Sequence, residues 1–237
     1  MTTLTNPPFV PLGPPAPRSN VVFEERGYLP GWVNDLPSFR RWIWSDDFPT
    51  QGYFAFLGSD VWVDLSMEEL ITHNQVRLAF SFSVMSILEQ QPIGRYVADR
   101  MFLTNAEASL STEPDGLFFL YATVQASLLR FIDKPEVGIM ELEGTPDMVL
   151  EVVSKTSVRK DTVILPQLYW KAKIPEFWLV DARPGSLSFK ILLRGAEGYE
   201  EAPAQDGWIR SPLFGRDFSI QEELDPLGKR LFRVRTR

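Results

Sequence analysis

Residues 148–153, Met-Val-Leu-Glu-Val-Val, constrain the fold more than any other stretch. The run is short and apolar, follows the turn signal Gly144-Thr145-Pro146-Asp147, and reads as one buried strand. Glu151 interrupts it. A carboxylate inside an apolar strand is costly unless a cation, a metal or hydrogen-bond donors meet it. Alternate residues of a strand share a face, so Asp147, Val149, Glu151 and Val153 point one way. Two carboxylates on that face, with Ser154 and Lys155 at the exit, indicate a polar site at a sheet end. The alternative is a Glu151 paired with a buried Lys or Arg as part of the core. Buried, unpaired carboxylates cluster at functional sites, which favours the first reading.

The chain has 237 residues and 44% hydrophobic content, enough for one well-packed domain with extensions. It contains no cysteine, so neither a disulfide framework nor a thiolate zinc site is available. His73 is the single histidine, which disfavours a multi-histidine metal site and a Ser-His-Asp triad. The formal charge of -7 lacks the global basic footprint of a protein that binds nucleic acid non-specifically, so a nucleic-acid partner would need a local basic patch, a metal bridge or a second chain. No apolar run reaches the roughly 18 residues that span a bilayer, and no basic cluster precedes an apolar core near the N-terminus. A soluble, cytoplasmic protein is expected.

Six prolines fall in residues 1–19, which excludes a helix or central strand there and predicts an extended arm. Residues 21–49, with Trp32, Trp42 and Trp44, read as an irregular extension packed on the main domain. Residues 53–65 flank Gly58-Ser59-Asp60 and predict a β-hairpin. Ser66 and Glu69 form a capping-box pattern, with Leu70, Ile71, Asn74, Leu78, Phe82 and Met85 at helical spacing after it. Residues 96–104 and 117–121 read as strands, the second after the turn Glu113-Pro114-Asp115-Gly116. The polar run 155–161 reads as exposed. Residues 161–173 read as a helix that starts near Pro166 or kinks there. Strands follow at 176–180 and 187–193, with a β-rich tail to the C-terminus. The order fits a mixed α/β sheet with helices packed against it.

Taken together, Glu113-Pro114-Asp115, Gly144-Thr145-Pro146-Asp147-Met148-Val149-Leu150-Glu151-Val152-Val153-Ser154, Asp161, Leu168-Tyr169 and Glu176-Phe177-Trp178-Leu179-Val180-Asp181 resemble the restriction endonuclease family of Uma-two type, within the PD-(D/E)XK nuclease superfamily. The resemblance covers residues 53–195. It implies a restriction-endonuclease-like core of helix, three strands, helix, strand. Residues 1–52 are then an N-terminal arm and extension, and 196–237 a C-terminal β extension packed on the same domain. The resemblance also implies a Mg²⁺ or Mn²⁺ site with Asp115, Glu151 and the backbone carbonyl of Val152 as ligands, and hydrolysis of DNA phosphodiesters. Glu69 is an additional candidate ligand, because some superfamily members use a carboxylate from that helix.

The chain departs from the family pattern at the lysine. The superfamily position two residues after Glu151 is Val153, and the position often used instead, four residues after Asp161, is Leu165. Lys160 and Lys155 are the nearest basic substitutes, and Lys160 is taken as the candidate catalytic cation. The simple alternatives are a turn-capping role for Asp115 and Asp147, first-turn helix acids for Glu68 and Glu69, a packed or surface His73, and a solvated loop charge for Lys160. Trp170, Phe177 and Trp178 read as core or interface. Arg230, Arg233, Arg235 and Arg237 read as a solvated basic tail able to touch phosphate. Two functions are therefore carried forward: a metal-dependent DNA endonuclease, with a homodimer plausible because two strands need two sites, and a nuclease-fold protein that has lost activity and serves as a binding or scaffold module.

Overall fold

The structure, a computed structural model, describes residues 29–237 except 68 and 99. The proline-rich arm and Glu68 lie outside the described residues. The elements run α1 (Leu36–Ile43), β1 (Tyr53–Leu57), β2 (Asp60–Asp64), a π-helical turn (Leu70–Asn74) leading into α2 (Gln75–Gln90), β3 (Gly94–Ala98), β4 (Phe102–Asn105), β5 (Leu110–Thr112), β6 (Gly116–Leu120), α3 (Tyr121–Gln125), β7 (Leu129–Lys134), β8 (Gly138–Gly144) and β9 (Met148–Val152). A second π-helical turn (Lys160–Ile164) leads into α4 (Leu165–Lys171), followed by β10 (Glu176–Asp181), β11 (Ser188–Arg194), β12 (Tyr199–Glu201), β13 (Ala204–Gln205), β14 (Trp208–Ser211), β15 (Arg216–Leu224) and β16 (Arg230–Thr236).

The strands form three sheets. Two have six strands, in the orders β2-β1-β5-β4-β8-β7 and β12-β11-β10-β9-β6-β3, and the third has the order β13-β14-β15-β16. Strand β9 sits inside the second sheet, antiparallel to β6 and parallel to β10. That sheet is covered on both faces. Met148, Leu150 and Val152 face a core shared with α2 and the third sheet, through Phe80, Val84, Phe218 and Phe232. Val149 faces a core shared with α4 and the first sheet, through Leu165, Tyr169, Leu103 and Leu142. Burial on both faces explains the near-continuous apolar run of β9.

The architecture is the mixed α/β one expected, with the helix, strands, helix, strand order in place. Several local expectations are corrected. Residues 21–49 contain a helix: Asp35 and Ser38 form a reciprocal capping box, Pro37 sits in the first turn, and Phe39 and Trp42 pack on Phe54, Phe56 and Phe102. The expected strand 96–104 is two strands in different sheets, β3 and β4, separated at Arg100, whose φ of 56° breaks the extended run. The helix after β2 begins later than Ser66, because Glu69 rather than Ser66 caps it. Its expected core stripe is also on the wrong side. Leu70, Leu78, Phe82 and Met85 are exposed, while Val76, Phe80, Val84 and Ile87 are buried. The helix is apolar on both sides, so periodicity alone does not choose a face. The basic C-terminus is not a loose tail but strand β16, with Arg230, Arg233 and Arg237 paired to Glu222, Glu223 and Asp217 of β15.

Glu176 ties the third sheet to the second. It opens β10, is 2% exposed, and accepts hydrogen bonds from the Trp178 indole (2.8 Å), the Ser211 hydroxyl (2.8 Å) and the Leu213 amide (2.7 Å). Burial raises its carboxyl pKa, against the pull of these donors. Glu176→Ala strands the buried Trp178 indole N–H and the buried Ser211 hydroxyl, with the half-buried Leu213 amide, and is expected to cost on the order of 3 kcal/mol. Glu176→Gln keeps an acceptor and costs less. Urea unfolding of both variants checks this, and equal loss from the two would contradict it.

Candidate metal centre and its buried lysine

The register of β6 against β9 pairs Gly116 with Leu150 and Leu117 with Val149. One further step along the same register brings Asp115 opposite Glu151, and opposed residues of an antiparallel pair present their side chains to the same face. Both acids therefore lie at the same end of the second sheet, near enough for the Asp115 charge to act on Glu151. Asp115 lies in the turn before β6 and reaches across the end of the pair, where its Oδ2 accepts the Val152 amide proton at 2.7 Å. His73 Nε2 stands 3.3 Å from the same oxygen. Burial pushes the Asp115 carboxyl up, but His73, Lys160 and the Val152 amide outweigh it and hold the pKa below the ordinary value.

Glu151 has the opposite balance. It is 1% exposed and accepts a 2.5 Å hydrogen bond from the Tyr169 hydroxyl. Burial, with the nearby charges of Asp161 and Asp115, pushes its pKa up to about 8 despite the compensating charge of Lys160. Two carboxyl groups at one sheet end are thus held apart in proton affinity by their surroundings, a pattern typical of sites rather than of inert cores.

Lys160 is the largest correction. Expected in an exposed polar run, it has only 13% of its side chain exposed. Its ammonium lies 3.7 Å from Glu151 Oε2, 3.0 Å from Asp161 Oδ1, and 4.3 Å from the centre of the Tyr53 ring. Burial alone would lower its pKa, but the surrounding negative groups raise it well above the ordinary lysine value. Asp161 is also buried, at 1% exposure, and its other oxygen accepts from Ser157. Burial raises the Asp161 carboxyl pKa in spite of Lys160. Glu151 therefore has features of both sequence readings: it is paired with a buried lysine and it sits at a sheet end with a second acid.

The π turn accounts for the position of Lys160. The Leu165 amide donates to the Lys160 carbonyl, an i to i+5 bond that stacks residue 160 beneath residue 165. Leu165 is fully buried in the core between the first and second sheets. A lysine at 160 consequently projects from the same helix face as a lysine at 165, one turn earlier. The other π turn has a matching role. Glu69 is its N-cap, accepting from the Ile71 and Thr72 amides and the Thr72 hydroxyl, and His73 follows on that turn. These donors hold the Glu69 carboxyl pKa low against its partial burial.

Asp147 does not join the cluster. It lies at the opposite end of β9 and accepts from the Leu120 amide and the Thr123 hydroxyl, which fixes the start of α3. Tyr53, Asp161 and Tyr169 were not singled out as site residues by sequence reasoning. Tyr169 belongs to the apolar stripe of α4, Tyr53 to the first sheet, and nothing local marks either as facing a carboxylate. Among the described residues no group of three or more His, Cys, Asp or Glu side chains is arranged to hold a metal ion. The remaining donors are Asp115, Glu151 and the Val152 carbonyl. The Val152 amide already points to Asp115, and amide and carbonyl of one strand residue point to the same side. An all-oxygen set is the kind a hard divalent cation takes, but it has two carboxyls only, and Glu151 would have to lose its proton to join it.

The pH dependence of stability follows in sign. A carboxyl whose folded pKa is raised contributes stability below its unfolded pKa and loses it as pH rises through the folded value. For Glu151 the window runs from the ordinary glutamate range to about 8. Glu151→Gln, measured without divalent metal, should gain melting temperature relative to the unsubstituted protein across that window. A gap that stays constant or narrows contradicts the assignment.

The comparisons agree with this architecture. The family model described as "Putative restriction endonuclease", Uma2, matches residues 54–223. A solved structure described as a putative nuclease belonging to DUF820, from Anabaena variabilis, is similar at 17% identity with a TM-score of 0.52, over 76% of this chain and 90% of that one. No curated protein sequence matches. Because the family model spans more than half of the chain, on a fold shared with that nuclease, this protein belongs to the Uma2 family of restriction endonuclease-like proteins.

Proposed function

We propose that the protein is a divalent-metal-dependent DNA endonuclease that hydrolyses phosphodiester bonds, with Mg²⁺ or Mn²⁺ held by Asp115, Glu151 and the Val152 carbonyl. The observation that carries this reading is the Lys160 ammonium, buried against Glu151 on the helix face of Leu165. Residues 53–195 carry this chemistry, with 196–237 as an extension. A bound divalent ion supplies charge stabilisation at the phosphate and acidifies water.

The protein's own residues do the rest. Tyr169 orients Glu151 through its hydroxyl, and His73 with the Val152 amide aims Asp115. Lys160 is a fixed cation facing the negative charge that a phosphate brings, and its low exposure strengthens that interaction. Asp161 holds the ammonium in place, so substrate need not order it. Glu69 acts in this reading as the cap that positions His73 rather than as a ligand. DNA is the polymer and a homodimer the assembly that fits cleavage of two strands, within the cytoplasm.

The second reading, a catalytically silent binding module, is favoured by Val153 and by the small number of acidic donors. A Mn²⁺ titration beside a plasmid-nicking assay separates the two. The endonuclease reading predicts binding and nicking, both abolished in Asp115→Ala with Glu151→Ala. No metal binding to the unsubstituted protein sinks it.

Lys160→Met should lower nicking on the order of a hundredfold. Adding Leu165→Lys to that variant should recover part of the loss, because the π turn makes the two positions equivalent. No recovery in a folded double variant contradicts that equivalence.

A further inference from the structure

A cleft of about 650 Å³ opens between α4 and strands β10 and β11, on the same sheet face as Glu151. Resting on the endonuclease reading, we infer that this cleft receives one unpaired nucleobase of the substrate strand, next to the phosphate that is cut. The protein therefore acts on DNA with an unstacked or single-stranded nucleotide in preference to continuous duplex.

Continuity with the acidic centre comes first. Val153, two residues beyond Glu151 on the same face of the chain, lines the cleft. So does Leu179, the register partner of Glu151 on β10. Two residues along a strand cover about 6.6 Å, so the Val153 end of the cleft lies about one nucleotide from Glu151. Val153 stands where the superfamily name places a lysine. An apolar residue there does nothing for a phosphate but forms part of an apolar floor with Leu179 and Leu192.

The walls suit a flat heterocycle. Trp170 is held in one orientation, its indole donating to the Gly195 carbonyl at 3.0 Å and its ring 5.0 Å from the Arg194 guanidinium. The Gln167 amide offers both a donor and an acceptor at the rim. Lys171 and Lys190 line the cleft beside the carboxylates of Asp181 and Glu197, so its charges balance and a base rather than a phosphate is the part of a nucleotide it suits. A pocket of this size with an apolar floor and a few polar groups is normal for a small ring system. Enzymes that read an extruded base use the same combination of stacking and edge hydrogen bonds.

Ser188 lies at the exposed start of β11 and lines the cleft without touching the acidic centre. Ser188→Trp fills the space. Binding is measured by fluorescence anisotropy on the full chain without divalent metal, with a fluorescent oligonucleotide presented as single strand, as duplex with one bulged base, and as continuous duplex. The inference predicts that the first two bind at least about tenfold more tightly than the third, the scale of one base–aromatic stack. In Ser188→Trp that preference should collapse while duplex affinity stays the same. Gln167→Ala, which leaves the fold's core untouched, should reduce it in part.

Equal affinity for all three probes in the unsubstituted protein overturns the inference, as does a preference that survives in a folded Ser188→Trp. An excess of free dAMP or dCMP that displaces the oligonucleotide as well as an unlabelled strand overturns it too, by marking a mononucleotide site. If metal-dependent nicking of plasmid persists in any of these cases, the endonuclease reading stands and only the cleft assignment falls. Absence of both binding and nicking removes the two together.

Discussion

The contact between the buried Glu151 carboxyl and the Lys160 ammonium lies at the centre of the site. Glu151 sits in a strand whose neighbours are apolar on both faces, where an isolated charge would be expelled or neutralised. Lys160 at 3.7 Å and the Tyr169 hydroxyl at 2.5 Å meet it. Burial keeps much of Glu151 protonated, and where it does ionise the cost of desolvating both groups can exceed their attraction. The arrangement therefore contributes little to folding, and a stability argument does not explain why it is there. Under the proposed endonuclease function it would be a preformed, water-poor setting for the reaction.

The two π turns give that setting its geometry. Each interrupts the entry to a helix, and each carries a polar side chain that an ordinary helical start would aim elsewhere: His73 toward Asp115, and Lys160 toward Glu151 and Asp161. Extra residues inserted in helical turns recur at functional sites, because they re-aim a side chain while the following helix keeps its packing. Here α4 keeps Leu165, Leu168 and Tyr169 in the core. The first sheet contributes the Tyr53 ring beneath the ammonium, so five separate parts of the chain converge on one small volume.

Much of the fold was legible from local patterns. The apolar run of β9, the Pro-Asp turn before β6 and the Gly-containing hairpin of β1 and β2 each carry their own signal, and their order indicates the sheet. Glu151 was legible as a candidate because an acid stands out in an apolar strand, whereas Asp115 became one only through the family resemblance and Asp147, its expected partner on that face, caps the turn at the other end. Lys160 was legible as a residue but not as a buried one. Its neighbours Lys155 and Arg159 are exposed, and only the i to i+5 bond to Leu165 turns residue 160 inward. Tyr53 and Tyr169 were illegible because each reads as an ordinary core aromatic, and the carboxylate and cation they face come from distant parts of the chain. The face of α2 was misassigned for a related reason. A helix with apolar residues all round is oriented by what it packs on, and that information is not local.

A crystal structure grown with Mn²⁺, with anomalous scattering recorded at the manganese edge, tests the central claim most directly. The account predicts a single anomalous peak bonded to oxygens of Asp115, Glu151 and the Val152 carbonyl, with the Lys160 ammonium still beside Glu151. No peak there, with the ammonium alone neutralising the two acids, would contradict it.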